Sequence, residues 1–209
     1  MTKAALFRLA ANRQATTEHD INNDRVNINA LYWKTLSLVR QKRAYHVRMD
    51  YPTADLCDQH SDRLQILEPG LRHFGGREAF HGRIATVKCF EDNSRVRERL
   101  ETPGEGRVLV VDAGGSPRCA MLGDQLAQLA LDNGWAGVLL HGMIRDSAVI
   151  AGMPLGVMAL GTHPKKSDKQ GIGQVEVALR FGGVDFRPGD WLYADRDGVV
   201  VAPEPLHEQ

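Results

Sequence analysis

Two short runs carry side chains able to act on a small oxyacid. Gly123-Asp124-Gln125-Leu126 stands where a helix must begin, and Arg145-Asp146 follows an apolar run that must be a strand. A helix start offers unpaired backbone N–H groups at the positive end of its dipole, and Gly123 leaves a carboxylate room to approach them. An arginine just beyond a strand can grip a carboxylate or keto oxygen with two parallel N–H bonds. An aspartate beside it can hold Mg²⁺, which takes one or two carboxylates and keeps several waters. Each run also has a plainer use. Gly123-Asp124 can simply start the helix, and Arg145-Asp146 can be a local ion pair or an N-cap.

The elements around these runs decide whether they meet. Arg107-Val108-Leu109-Val110-Val111 and Gly137-Val138-Leu139-Leu140-His141 are continuous apolar runs, as expected of buried strands. Between them a helix runs from about Gly123 to Asn133, with Leu126, Leu129 and Ala130 on one face and Gly134 as its stop. Strand, helix, strand in this order implies a right-handed βαβ unit. If the two strands are parallel neighbours, their following loops open on one edge of the sheet, where α/β proteins bind ligands.

Other elements are legible around this unit. Thr53–His60 reads as a short N-capped helix, Gly82–Phe90 as a strand, and Asn93 as the cap of a helix reaching about Glu101. Val175, Val177, Leu179 and Phe181 alternate with polar residues, which predicts one half-exposed strand. Trp191–Ala194 and Val199–Val201 are short strands joined by the turn Asp195-Arg196-Asp197-Gly198. The fold class is α/β with a mixed sheet.

Several chemistries are excluded by pattern. Asp195-Arg196-Asp197-Gly198 lacks the remaining ligands of a calcium loop. Gly114-Gly115 makes no dinucleotide fingerprint, and no P-loop or nucleophile elbow occurs. The eight histidines show no zinc-protease spacing, and Lys165, Lys166 and Lys169 read as a solvated loop. Cys57, Cys89 and Cys119 are odd in number and far apart, as reduced thiols in a cytoplasmic protein would be.

The chain has 209 residues, 43% of them apolar, enough for one substantial core. Acidic and basic residues balance at 26 each, which suggests no nucleic-acid or membrane partner, and no apolar run is long enough to span a bilayer. The balance hides an asymmetry. Residues 1–48 hold nine Lys/Arg against three Asp/Glu, a net of +6, and residues 49–209 hold 17 against 23, a net of −6. Residues 12–30 read as loop or disorder and residues 31–47 as a weakly periodic basic helix. The expectation is a dispensable basic extension, 1–48, with Met49 as a native or alternative start of the α/β domain 49–209; the rival is a basic arm for RNA or a partner.

Taken together, these pieces resemble the RraA-like family. The likeness is carried by Val110-Val111-Asp112-Ala113-Gly114-Gly115, Gly123-Asp124-Gln125-Leu126, Gly142-Met143-Ile144-Arg145-Asp146, Phe181-Gly182-Gly183-Val184, Pro188-Gly189-Asp190 and Asp195-Arg196-Asp197-Gly198-Val199. It covers roughly residues 51–206. Leu56-Cys57-Asp58, Phe74-Gly75-Gly76-Arg77 and Thr86–Asn93 resemble the branch of the ribonuclease E regulators most closely. The other branch holds class II 4-hydroxy-4-methyl-2-oxoglutarate aldolases.

The resemblance implies a compact α/β sandwich related to swivelling phosphohistidine domains, assembled as a homotrimer with sites at subunit interfaces. It implies that Gly123, Asp124, Gln125, Leu126 and Arg145 bind pyruvate, and that Asp146 anchors a divalent cation, Mg²⁺ or Mn²⁺. Retro-aldol cleavage to two pyruvates is then expected, with Arg145 stabilising the enolate and Asp124 moving protons through a water. Oxaloacetate decarboxylation is the expected side activity. No lysine stands out as a Schiff-base nucleophile, which favours metal chemistry. The competing expectation is a non-catalytic protein that binds ribonuclease E through its acidic domain.

Overall fold

The structure is a computed structural model, and it describes residues 51–206. The expected basic extension 1–48, the helix at 31–47 and the start at Met49 lie outside the described residues. Buried strands come first in the logic of the fold. β3 (Phe80–Lys88), β4 (Val108–Asp112), β6 (Gly137–Ile144) and β7 (Gly156–Thr162) run parallel in the order β3-β4-β6-β7. Leu109, Val111, Val138 and Leu140 face one apolar cluster, while Val108, Val110 and Leu139 face another. Cover on both faces is why these strands read as unbroken apolar runs.

One face is covered by α2 (Ser94–Leu100) and α3 (Asp124–Asp132), through Val96, Leu100, Leu126, Ala127 and Ala130. The other is covered by the hairpin of β9 (Leu179–Phe181) and β10 (Val184–Phe186), and by Leu192 of β11 (Trp191–Ala194) and Val199 and Val201 of β12 (Val199–Ala202). The predicted single strand Val175–Phe181 is therefore corrected. β8 (Gln174–Val175) pairs antiparallel with β3, whereas β9 belongs to a separate two-stranded sheet. The alternation spans two elements that bury their apolar sides in different places.

The full sheet has ten strands and runs from β1 (Gln65–Ile66) through β12 and β11 to β3, ending at β2 (Arg72–His73) beyond β7. Its end strands are joined by residues 67–71 alone, so the sheet curls back on itself. His73 Nε2 donates to the Asp195 carbonyl at 2.5 Å across this closure.

Helix ends show what the sequence could and could not specify. α3 stops as expected: Gly134 takes φ 73°, its N–H donates to Leu131 O, and the Trp135 N–H donates to Ala130 O. Asn93 occupies the cap position of α2, but its amide donates to Met121 O, and Asp92 Oδ1 accepts the Ser94 N–H instead. α1 (Thr53–His60) is preceded by Pro52, which has no capping side chain. The buried Asp195 carboxylate, 142 residues away, caps it from the β11–β12 turn by accepting Thr53 N and Thr53 Oγ1, each at 2.7 Å. The same carboxylate accepts the N–H groups of Asp197 and Gly198, so this turn uses its acid internally rather than for calcium. Cys89 and Cys119 are buried and Cys57 half-buried; all three are free thiols.

Candidate active site at the start of helix α3

β5 (Ala120–Leu122) pairs parallel with the far end of β6, beyond the end of β4. The buried strand thus runs on to Ile144, three residues past the expected His141. The Arg145 N–H donates to Leu122 O at 2.9 Å, stitching the exit of β6 to the exit of β5. Arg145-Asp146 and the start of α3 therefore lie side by side, as parallel packing requires.

Gly123 links β5 to α3 with an extended backbone that any residue could adopt (φ −134°, ψ −175°). Space is what demands glycine. A Cβ there would sit 2.8 Å from Asp146 Oδ2 and 3.1 Å from Arg145 Nε. Gly123→Ala should keep the melting temperature within a few degrees yet lower turnover by at least about tenfold, because a shift of the order of an ångström in positioned groups is costly. Parallel thermal melts and turnover assays check this; unchanged turnover would mean the pair tolerates displacement.

Asp146 adopts a left-handed conformation (φ 54°, ψ 32°), a region aspartate enters more readily than most residues. Its carbonyl accepts the Val149 and Ile150 N–H groups, which closes the turn. Its Oδ2 lies 3.3 Å from Arg145 Nε and accepts the Asp124 N–H at 3.4 Å, and both side chains of the ion pair are about one-third exposed. Asp124 Oδ1 accepts the Gln125 N–H at 2.7 Å. The next N–H of α3, that of Leu126, has no acceptor among the described residues.

These groups border a cavity of about 290 Å³, at the small end of small-molecule sites. Gly123, Asp124, Gln125, Leu126 and Arg145 all line it; Asp146 stands at its margin, behind Gly123 and Arg145. All of the sequence-derived site residues are thus brought together.

The sequence reading missed the rest of the lining. Asn93 at the cap of α2, Arg97 within it, Ala120 and Leu122 of β5, and Lys166 and Lys169 complete it. The two lysines are exposed as expected, but they border the cavity rather than open solvent alone. Their segment is tied down by Ala120, whose N–H donates to Lys165 O and whose carbonyl accepts the Ser167 N–H, and by Asp92 Oδ2, which accepts the Gln170 and Ile172 N–H groups. No local motif could have revealed this, because Asp92 and Ile172 lie 80 positions apart.

Burial works to raise the Asp92 pKa, but hydrogen bonds from Ser94, Ile172 and Gln170 outweigh it and hold the carboxyl at about 2. A folded pKa below the ordinary 3.8 contributes stability above that value. This contribution is lost as pH falls from about 3.8 to about 2. Asp92→Asn should therefore show a shallower loss of stability across that window in acid titrations followed by circular dichroism; an unchanged slope would contradict the assignment.

On the other face, Asp112 Oδ1 pairs with His141 Nδ1 at 3.1 Å and accepts the Gly114 N–H, while the His141 ring stacks on Phe181. Burial pushes the Asp112 carboxyl up, but these hydrogen bonds leave it below its usual range.

Among the described residues, no three His, Cys, Asp or Glu side chains gather into a metal-holding group. The donor chemistry at the site, the partly exposed Asp146 carboxylate with that of Asp124 on the neighbouring helix start, fits a hydrated Mg²⁺ or Mn²⁺ and not a multi-histidine centre.

A parallel sheet that delivers an open helix start and an arginine to one cavity is the architecture of α/β proteins that hold small anions. The RraA-like family profile, described as Aldolase/RraA, matches residues 53–201. The chain belongs to the RraA-like family. A relative from Laribacter hongkongensis is 65% identical over 158 residues, 76% of this chain and 99% of its own. One from Pseudomonas putida is 56% identical over 156 residues, 75% of this chain and 96% of its own. Each is named, provisionally, a 4-hydroxy-4-methyl-2-oxoglutarate aldolase. Among solved structures, the RNA-processing inhibitor RraA from Thermus thermophilis is 47% identical with a TM-score of 0.71, covering 73% of this chain and 93% of that one. A Geobacillus kaustophilus structure described as an S-adenosylmethionine:2-dimethylmenaquinone methyltransferase is 57% identical with a TM-score of 0.74, covering 75% and 98%.

Proposed function

We propose that this protein cleaves 4-hydroxy-4-methyl-2-oxoglutarate into two molecules of pyruvate and decarboxylates oxaloacetate as a side reaction. The observation that carries the reading is the meeting of Arg145 and the open N–H of Leu126 at one cavity, with Asp146 paired to Arg145 at its margin. The aldolase names of the relatives support it.

The Leu126 N–H and the Arg145 fork receive the C1 carboxylate and the keto oxygen. Arg145 faces the oxygen on which negative charge grows as the C3–C4 bond breaks, so it stabilises the transition state more than the bound substrate. Asp124, through a water, takes the C4 hydroxyl proton and later returns a proton to the enolate carbon. A divalent cation held by Asp146, Mg²⁺ or Mn²⁺, would add Lewis-acid polarisation of the C2 ketone. No lysine stands out in the sequence as a Schiff-base nucleophile, and the two that border the site are Lys166 and Lys169. Both are exposed, and so lack the apolar pocket that commonly activates Schiff-base lysines.

The test is pyruvate release from both substrates with Mg²⁺, with EDTA, and in Asp146→Ala. Activity should require both the cation and Asp146. Full activity in EDTA would remove the metal from the reading, and no activity in the folded native protein would remove the lyase.

A second reading is favoured by the 47% identity to an RNA-processing inhibitor and by the net charge of −6 over residues 49–209. Binding to ribonuclease E would survive Asp146→Ala, which separates it from catalysis. A homotrimer and a cytoplasmic location complete the proposal. Among the described residues, no helix is long and apolar enough to cross a membrane.

A further inference from the structure

The segment 163–173, which carries Lys166 and Lys169, is joined to α2 through one buried acid. Asp92 is 3% exposed, stands outside the lining of the cavity and takes no part in the chemistry above. Its Oδ1 accepts the Ser94 N–H at 2.8 Å, and its Oδ2 accepts the Gln170 and Ile172 N–H groups at 2.8 and 2.9 Å. The Gly171 N–H between them goes to Ser94 Oγ at 3.2 Å. Three successive N–H groups of the segment therefore converge on the Asp92 and Ser94 side chains at the start of α2. Gly171 (φ 76°) and Gly173 (φ 134°) take the left-handed backbone that such a convergence needs.

The two sides of this joint carry different parts of the cavity. Asn93 and Arg97 come with α2, and Lys166 and Lys169 come with the segment. Arg145 and the Leu126 N–H are set instead by β5, β6 and the start of α3. Loosening the joint would let the cavity widen without moving the groups at the reacting carbon.

We infer that Asp92 is a positioning residue: by pinning residues 170–172 to α2 it holds the cavity in its ligand-competent shape, and it serves binding rather than the chemical step. The inference rests on the aldolase reading for its turnover measurement alone. A site that is competent for only part of the time has its apparent affinity reduced by that fraction, while a substrate once bound reacts as before. The sign of the effect separates the pin from its charge. Deleting a negative charge near Arg97, Lys166 and Lys169 would by itself draw an anion in more strongly, whereas a lost pin weakens binding.

The variant Asp92→Asn, made in the full chain, keeps the side-chain shape but turns one acceptor into a donor. KM for 4-hydroxy-4-methyl-2-oxoglutarate should rise at least about tenfold with kcat within about threefold of native, the pattern of a site competent for about a tenth of the time. Hydrogen exchange at Gln170, Gly171 and Ile172 should quicken at least about tenfold, with the amides of β4 and β6 unchanged. Ser94→Ala removes only the Gly171 acceptor and the hydroxyl, so it should move both readouts the same way by less; it carries the test if Asp92→Asn does not fold. Asp195→Asn, destabilised outside the cavity, is the control expected to change neither. Faster exchange with unchanged KM, a fall in kcat at unchanged KM, or the same rise of KM in the control would overturn the inference. A native protein that releases no pyruvate rejects the lyase, and calorimetry with 2-oxoglutarate, which lacks the C4 hydroxyl and is not cleaved, then decides the pin. Weaker binding in Asp92→Asn keeps it; equal binding, or none in the native protein, overturns it.

Discussion

Arg145→Ala should lower turnover of 4-hydroxy-4-methyl-2-oxoglutarate by about 100- to 1000-fold, the cost of removing one preorganised donor from a developing oxyanion. The loss should appear mainly in kcat, because the guanidinium is needed most when charge has moved onto the C2 oxygen. The fold should be untouched. Arg145 is held in place by its backbone N–H to Leu122 O, and its side chain is about one-third exposed. Arg145→Lys keeps the charge but loses the planar fork, so it should recover little of the rate. A lysine variant with near-native kcat would show that charge alone suffices. An alanine variant within about threefold of native would remove the guanidinium from the chemistry.

The largest effect on stability is expected at Asp195. Its carboxylate is 1% exposed and accepts four hydrogen bonds, from Thr53 N, Thr53 Oγ1, Asp197 N and Gly198 N. Asp195→Ala strands the first N–H of α1 and two N–H groups of the turn, each costing about 1–3 kcal/mol where water cannot reach. A loss of about 3–5 kcal/mol follows, a fall in Tm of roughly 10 °C for a domain of this size. Asp195→Asn should fall in between, since one amide oxygen can still accept. Chemical denaturation of all three proteins measures the differences; a fall below about 1 kcal/mol would mean that water or a shifted turn replaces the carboxylate.

Much of this molecule could be read from local pattern. The βαβ unit and both helix boundaries of α3 follow from apolar runs, a helical stripe and Gly134, all within residues 107–141. Asp124, Arg145 and Asp146 could be placed for the same reason: strand ends and helix starts are local features, and parallel pairing then brings them together. What failed was non-local. β7, with its two glycines and few branched side chains, carries a weak strand signal and exists because β6 lies beside it. Asn93 has the right side chain for a cap, yet Met121 O claims it. Lys166 and Lys169 read as solvent-facing because nothing nearby in the chain says that Asp92 fixes their loop over a cavity.

The left-handed turn at Asp146 has a consequence for how such a protein can change over generations. Asparagine and glycine are the other residues that enter this conformation readily, and each is one nucleotide away from an aspartate codon. Either replacement would leave the backbone and the neighbouring Arg145 in place while deleting a negative charge. On the proposed role of Asp146, the mutational neighbourhood of this site therefore contains folded descendants without the lyase activity at a single step, free to be kept for whatever else their surface can bind.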